Sequence, residues 1–202
     1  MQLIKQAPVR KRVFVNPIYK DKATVLESCE ETGGDYSLGE LEIFPGGGNH
    51  LHVHNAFEET FTSVKGILGV MYKDRKIYLK PGESITVPGK TPHHFFNDGS
   101  EPVICHIRFV PGHEGFEKGL AIGYGLATDG KTNKKGVPKS LTHLALLITL
   151  TDTRPAEAMG LLMPVFRWMA NSAIKRGVEK ELLARYYYKQ NPLSFLKSVK
   201  TV

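Results

Sequence analysis

Histidine and carboxylate recur in two short segments of this chain at the spacing of β-strands. The first is Gly46-Gly47-Gly48-Asn49-His50-Leu51-His52-Val53-His54, which runs on to Glu59; the second is Pro92-His93-His94-Phe95-Phe96-Asn97. His52 and His54 are two apart, and residues two apart on a strand point to the same face. Two imidazoles on one face can converge on a single ion without a helix, and the glycines at 46–48 argue against a helix there. Glu59 lies five residues past His54. That odd offset would put it on the opposite face of an unbroken strand, so the spacing predicts a turn or bulge at Asn55-Ala56-Phe57. Beyond it Glu59, Phe61 and Ser63 share a face, and Gly66 ends the run. His93 shares its face with Phe95 and Asn97.

His52, His54, Glu59 and His93 are therefore the candidate metal ligands. Three neutral nitrogens and one anionic oxygen form a borderline-hard set that accepts Mn, Fe, Co, Ni or Zn, so ligand identity alone does not select the metal. A His-x-His pair by itself can equally be an ordinary surface or rim pair. The carboxylate and the third imidazole decide for a metal, because such groups facing an apolar core are costly unless something satisfies them. His50 shares the face of His52 and His54 and reads as a rim residue. His94 faces away from His93, and His106, His113 and His143 carry no ligand spacing; all four read as structural.

These residues carry a resemblance. The chain resembles the cupin superfamily, whose first signature is Gly, five residues, His-x-His, four residues, Glu, six residues, Gly; here Gly46, His52, His54, Glu59 and Gly66 complete it. The second signature is Gly, five residues, Pro-x-Gly, two residues, His, three residues, Asn. Here it is Gly82, Pro88, His93 and Asn97, with Lys90 where the glycine is expected and Gly89 one position early. The resemblance spans roughly residues 22 to 111. It implies a mainly β, antiparallel jelly-roll barrel in which the four matching residues hold one divalent ion. It also implies a function within a wide set: dioxygenases, isomerases, decarboxylases, epimerases, and sensors or storage barrels without turnover.

Strand signals agree with that fold. Val13–Val15, Ala23–Leu26, Leu38–Phe44, Ile67–Tyr72, Lys76–Leu79, Glu83–Val87 and Val103–Val110 read as short strands, with turns at Asp74-Arg75, Pro81-Gly82 and 97–100 between them. Short strands at close spacing favour a sandwich or barrel. Residues 10–112 are assigned to the cupin β-barrel and 113–202 to a C-terminal helical extension. In the extension, 114–126 has mild helical character and 129–140 is a Lys-rich loop. Ser140 can cap a helix over Leu141–Leu150. Thr153 or Arg154 before Pro155 can start the next, since proline suits the first helical position. Met159, Leu162, Phe166, Met169 and Ala173 recur at helical spacing and predict packing against the barrel or a partner chain. Pro164 is expected to disturb that helix, and Gly177 to separate it from 178–187. No internal repeat is visible, so a single barrel is expected.

Bulk properties exclude several classes. The 202 residues are 41% hydrophobic and 23% charged, which argues against disorder. Two cysteines, Cys29 and Cys105, are too few for a disulfide framework. The N-terminus lacks the apolar run of a secretory signal, so a cytoplasmic location is expected. The apolar runs 144–150 and 159–166 are too short to span a membrane. The net charge of +7 is concentrated near the end, in Lys175, Arg176, Lys180, Arg185, Lys189, Lys197 and Lys200. A solvated face explains it better than nucleic-acid binding, because no nucleic-acid motif accompanies it. Gly125 to Thr132 matches a phosphate-loop pattern, but that mechanism needs a strand before the loop and a helix from the lysine, and Asn133–Pro138 cannot extend one.

The functional expectation is a metal-dependent oxidoreductase of dioxygenase type. It would act on a small apolar or aromatic substrate at the barrel mouth, where barrels hold their ligands. Glu59 serves as ligand or as catalytic base. Phe61, Phe95 and Phe57 would form an apolar wall, with Tyr36 and Arg108 as polar contacts. The alternatives are a non-catalytic ligand-binding module and a metal-dependent isomerase or decarboxylase. The expected partners are a small molecule and a second copy of the chain in a homodimer, not nucleic acid or membrane.

Overall fold

Alternating burial sorts the strands into two facing antiparallel sheets. In the computed structural model, which describes residues 8–155 and 162–189, strands β1 (Val13–Asn16), β2 (Asp21–Glu27), β3 (Ser37–Ile43), β10 (Val103–Val110), β5 (Glu58–Lys65) and β8 (Ser84–Val87) form one sheet in that order. The other sheet runs β11 (Arg154–Pro155), β4 (His52–Val53), β9 (His93–Phe96), β6 (Leu68–Tyr72), β7 (Arg75–Leu79). On β10, Val103, Cys105, Ile107 and Phe109 are buried and the residues between them are not. That two-residue period puts one face of the strand in the core and the other in water. Phe61, Ile43, Leu68 and Val70 are fully buried between the sheets. Truncating an aromatic at the Phe61 position would cost about 3–5 kcal/mol through lost burial and the cavity left behind.

Tight backbone contacts set the ends of the histidine-rich segment. Gly48 bridges to Phe96 across the sheet at φ +149°, and a Cβ there would lie 2.6 Å from the Phe95 carbonyl oxygen. Only glycine fits so close an approach at that φ. Lys90 occupies the turn position where the signature has glycine, and it adopts φ +67°. Its N–H donates to the His54 carbonyl at 2.5 Å, which ties the turn to the ligand strand. The turn geometry of the signature is thus kept with a lysine in a conformation that suits glycine.

Helix α1 (Glu114–Thr128) follows the barrel, capped at its start by His113, whose Nδ1 accepts from the Phe116 N–H. Ser140 caps α2 (Leu141–Thr151) in the expected way, accepting from the His143 N–H. The core is continuous from barrel to helices: Ala121, Ile122, Leu126, Leu146 and Leu182 belong to the same buried cluster as Phe61 and Val70. Helices α3 (Met163–Lys175) and α4 (Val178–Tyr186) are separated by Gly177 at φ +81°.

The extension departs from expectation in three places. Arg154 and Pro155 do not open a helix; they form β11 and pair with Val53 and His52 of β4. Asp152 ends α2 in the left-handed conformation and turns the chain onto this free sheet edge, where proline is tolerated. Pro164 lies in the first turn of α3, where its missing N–H has no intrahelical partner to lose. The buried face of α3 is Met163, Ala170 and Ala173, whereas Leu162 is 52% exposed. Met159 lies outside the described residues.

Candidate metal centre

Strand register brings the two histidine segments together. His52 on β4 is the direct antiparallel partner of His93 on β9. Glu59 comes from β5 in the opposite sheet, paired with Phe109 and Val87. The expected turn between His54 and Glu59 is a bend at Asn55-Ala56 that carries the chain from one sheet to the other. All four side chains are buried, and one ligand atom from each lies within 4.8 Å of all the others.

The geometry fits a cation. His52 Nε2 lies 3.0 Å from His54 Nε2, His93 Nε2 lies 2.8 Å from Glu59 Oε2, and His54 Nε2 lies 3.7 Å from the same oxygen. Atoms that ligate one ion at about 2.0–2.2 Å sit about 3–3.5 Å from one another. The other ring nitrogens face oxygens. His52 Nδ1 is 2.7 Å from the His50 carbonyl, His93 Nδ1 is 2.8 Å from the Thr91 carbonyl, and His54 Nδ1 is 3.3 Å from Thr153 Oγ1. A carbonyl can only accept, so Nδ1 carries the proton in His52 and His93; the His93 Nε2 also donates to the Glu59 carboxylate, which only accepts. A divalent cation would replace the His93 proton among these groups, and their mutual spacing could hold one. Outward hydrogen bonds of this kind also fix ring orientation at metal sites.

Electrostatics keeps two of the imidazoles neutral. Burial, then the neighbouring His93, push His52 down to about 3. Burial and the neighbouring His52 and His93 hold His54 well below the ordinary histidine range. Burial also pushes His93 down, but the hydrogen bond and charge of Glu59, with help from the Thr91 carbonyl, outweigh it and raise that group. Neutral imidazole is the form that binds metal.

His52, His54 and Glu59 face a cavity of about 620 Å³ between the inner surface of β2–β3 and the helices α1 and α2. The helices thus cover the barrel mouth. Phe95 lines this cavity. Phe61 is fully buried, with its ring centroid 6.0 Å from that of His93, so it packs behind the imidazole and not along the wall. Phe57 stacks near His54 at 4.4 Å and packs against Phe109 and Phe116.

Tyr36 and Arg108 are not cavity contacts. Ile107 and Phe109 take the inward positions of β10, so Arg108 between them points outward. There its guanidinium lies 4.4 Å over the Tyr36 ring, and the Tyr36 hydroxyl donates to Glu27 at 2.8 Å. His50 is exposed at the cavity rim, bonded to the Lys135 carbonyl at 2.7 Å.

Sequence reasoning missed the support that the extension gives the site. The Asp152 carboxylate accepts from the Asn55 and Ala56 N–H groups, and Thr153 reaches His54. Nothing in the local pattern at 152–153 signals a partner so far away in the chain.

The family model described as the cupin domain matches residues 39–109. The chain therefore carries a cupin domain, and its two antiparallel sheets form the cupin jelly roll. The matched segment spans β3 to β10 and holds all four candidate ligands; the outer strands β1 and β2 and the helices lie outside it.

A search among curated proteins finds no match. Among solved structures, the chain is similar to KdgF from Halomonas sp. at 17% identity and TM-score 0.43, over 47% of this chain and 82% of that one. It is similar to a predicted oxalate decarboxylase from Thermotoga maritima at 15% identity and TM-score 0.45, over 55% and 99%. It is also similar to a cupin-2 domain from Rhodospirillum rubrum at 22% identity and TM-score 0.41, over 54% and 66%.

Proposed function

We propose that this protein is a metal-dependent oxidoreductase of dioxygenase type acting on a small apolar or aromatic molecule. The observation that carries this reading is the convergence of His52, His54, His93 and Glu59 at the wall of a largely apolar cavity. A divalent ion such as iron, manganese, nickel or zinc held by these residues supplies a Lewis-acidic centre, and for iron or manganese a redox-active one. The chain's own residues do the rest. Phe95, Ile107 and Phe109 exclude water and bind apolar substrate surface. Glu59, at the wall of the cavity, either stays a ligand throughout or leaves the ion and accepts a proton from the substrate. Thr91, Thr153 and the His50 carbonyl hold the imidazoles in orientation.

The partner beyond the small molecule is a second copy of the chain. Leu162, just before α3, and Val165 and Trp168 on it are 52%, 52% and 71% exposed, an apolar face suited to self-association. No helix among the described residues is long and apolar enough to cross a membrane; the cytoplasmic reading rests on the two unpaired cysteines.

The test is metal analysis of protein purified without a metal-affinity resin, followed by oxygen uptake with a catechol or a 1,3-diketone. Stoichiometric iron or manganese with oxygen consumption is expected. Substrate loss without oxygen uptake would replace the oxidative reading with isomerase or decarboxylase chemistry. Tight ligand binding without turnover would replace it with a binding module.

A further inference from the structure

The cavity is larger than a single-ring substrate needs. A void of about 150 Å³ is enough to hold benzene, whereas this one has about 620 Å³. The same chamber is lined by Leu120 and Tyr124 of α1 and Leu144 and Leu147 of α2, a helical roof, and by Ala23 and Leu41 of the sheet. Leu120 and Leu147 are only partly buried, because this chamber is what they face.

Charge narrows the ligand further. Lys135 is the only lysine or arginine among the described lining residues, and two of the others, Glu59 and Glu117, bring carboxylates to the chamber; the Glu40 carboxylate turns to the outer face and pairs with His106. Glu117 is already satisfied by the Cys29 N–H and the Ser37 hydroxyl, at 2.6 and 2.7 Å. Away from the metal centre and Lys135, a phosphorylated or carboxylate-rich body would lose its hydration against apolar side chains, with no other cationic side chain among the described lining residues. An uncharged apolar body would lose nothing by entering and would gain by leaving water.

The geometry points to an elongated, uncharged ligand with an alkyl or aryl-alkyl body, lying under the α1–α2 roof with its oxygen-bearing end at His52, His54, Glu59 and His93. This deepens the functional reading above and rests on it for the oxygen-bearing end only; the body is held by the roof. Gly123 lines the chamber from α1. A Cβ built there meets only Leu147 Cδ1, at an ordinary 3.6 Å, so a larger side chain at this position grows into the chamber without displacing backbone.

The experiment is calorimetric titration of the full chain with 1-hexanol, 1-octanol and 1-decanol, and with glucose 6-phosphate as the polar anion. Affinity should rise about three- to fourfold per methylene, since each buried methylene contributes about 0.8 kcal/mol, and glucose 6-phosphate should not bind. Gly123→Leu should weaken decanol binding at least tenfold, and Leu147→Trp, which fills the same space from α2, should do likewise if the first variant folds poorly. His52→Ala should lose metal yet still bind decanol. Chain-length independence, or decanol binding unchanged in the folded roof variants, overturns the inference while leaving the metal centre standing. Absence of metal from the wild-type protein with roof-dependent decanol binding intact overturns the metal reading and leaves this one.

Discussion

Asp152 holds the backbone of Asn55: its Oδ2 accepts the Asn55 N–H at 2.6 Å, and the Ala56 N–H at 2.8 Å. The contact fixes the bend that directly follows His54, and Thr153 touches the His54 ring from the same side. Asp152→Ala should therefore lower metal affinity about 10–100-fold, the usual effect of removing a group that orients a ligand. Chelator competition measures it. Unchanged affinity would mean that the bend holds itself.

His52→Ala and His93→Ala should each abolish metal retention while the far-ultraviolet circular dichroism of the sheets persists. Both side chains lie at the ligand cluster, and the main core of Phe61, Ile43 and Leu68 does not depend on them. Full metal content in both variants, measured by mass spectrometry, would remove the assignment.

Lys90→Gly should stabilise the protein by about 0.5–1 kcal/mol. Lysine at φ +67° carries the left-handed penalty, which glycine relieves at some cost in unfolded-chain entropy. The backbone hydrogen bond to His54 is retained in the variant. A urea denaturation midpoint reads the change, and a lower midpoint would show that the Lys90 side chain contributes more than its backbone strain costs.

Asp21 predicts a pH dependence. Its carboxyl is fully buried, Oδ1 has no hydrogen-bond partner among the described residues, and burial raises its pKa to about 7, only partly offset by the Tyr124 hydroxyl. The folded state thus holds a proton that the unfolded chain releases near pH 4. The stability this group contributes is complete below the unfolded value and is lost as pH rises toward and past 7. Asp21→Asn should stabilise by roughly 2–4 kcal/mol at pH 8 and give no gain at pH 4. Thermal melts at the two pH values measure the difference; equal effects at both would show that Asp21 is ionised throughout.

Trp168→Glu should shift the chain from dimer to monomer in sedimentation experiments, since it places a charge at the centre of the exposed α3 face. A wild-type protein that is already monomeric would remove the dimer proposal.

The grouping of His52, His54, Glu59 and His93 was legible in sequence because a strand has a period of two. His52 with His54, and Glu59 with Phe61 and Ser63, declare their faces without any knowledge of their neighbours, and the group so formed could hold a cation. The jelly roll was legible for the same reason, helped by turn residues such as Gly66 and Gly82. Tyr36 and Arg108 were misplaced because both lie next to core strand positions, and which face of β10 looks inward depends on β3 and β5 packed beside it. Arg154-Pro155 carries a helix-start signal that a free sheet edge overrode. The roof of the cavity, the Asp152 clamp and the closeness of Thr153 to His54 could be decided only in three dimensions. Each joins residues far apart in the chain, and local periodicity carries no information about which distant surface a helix will cover.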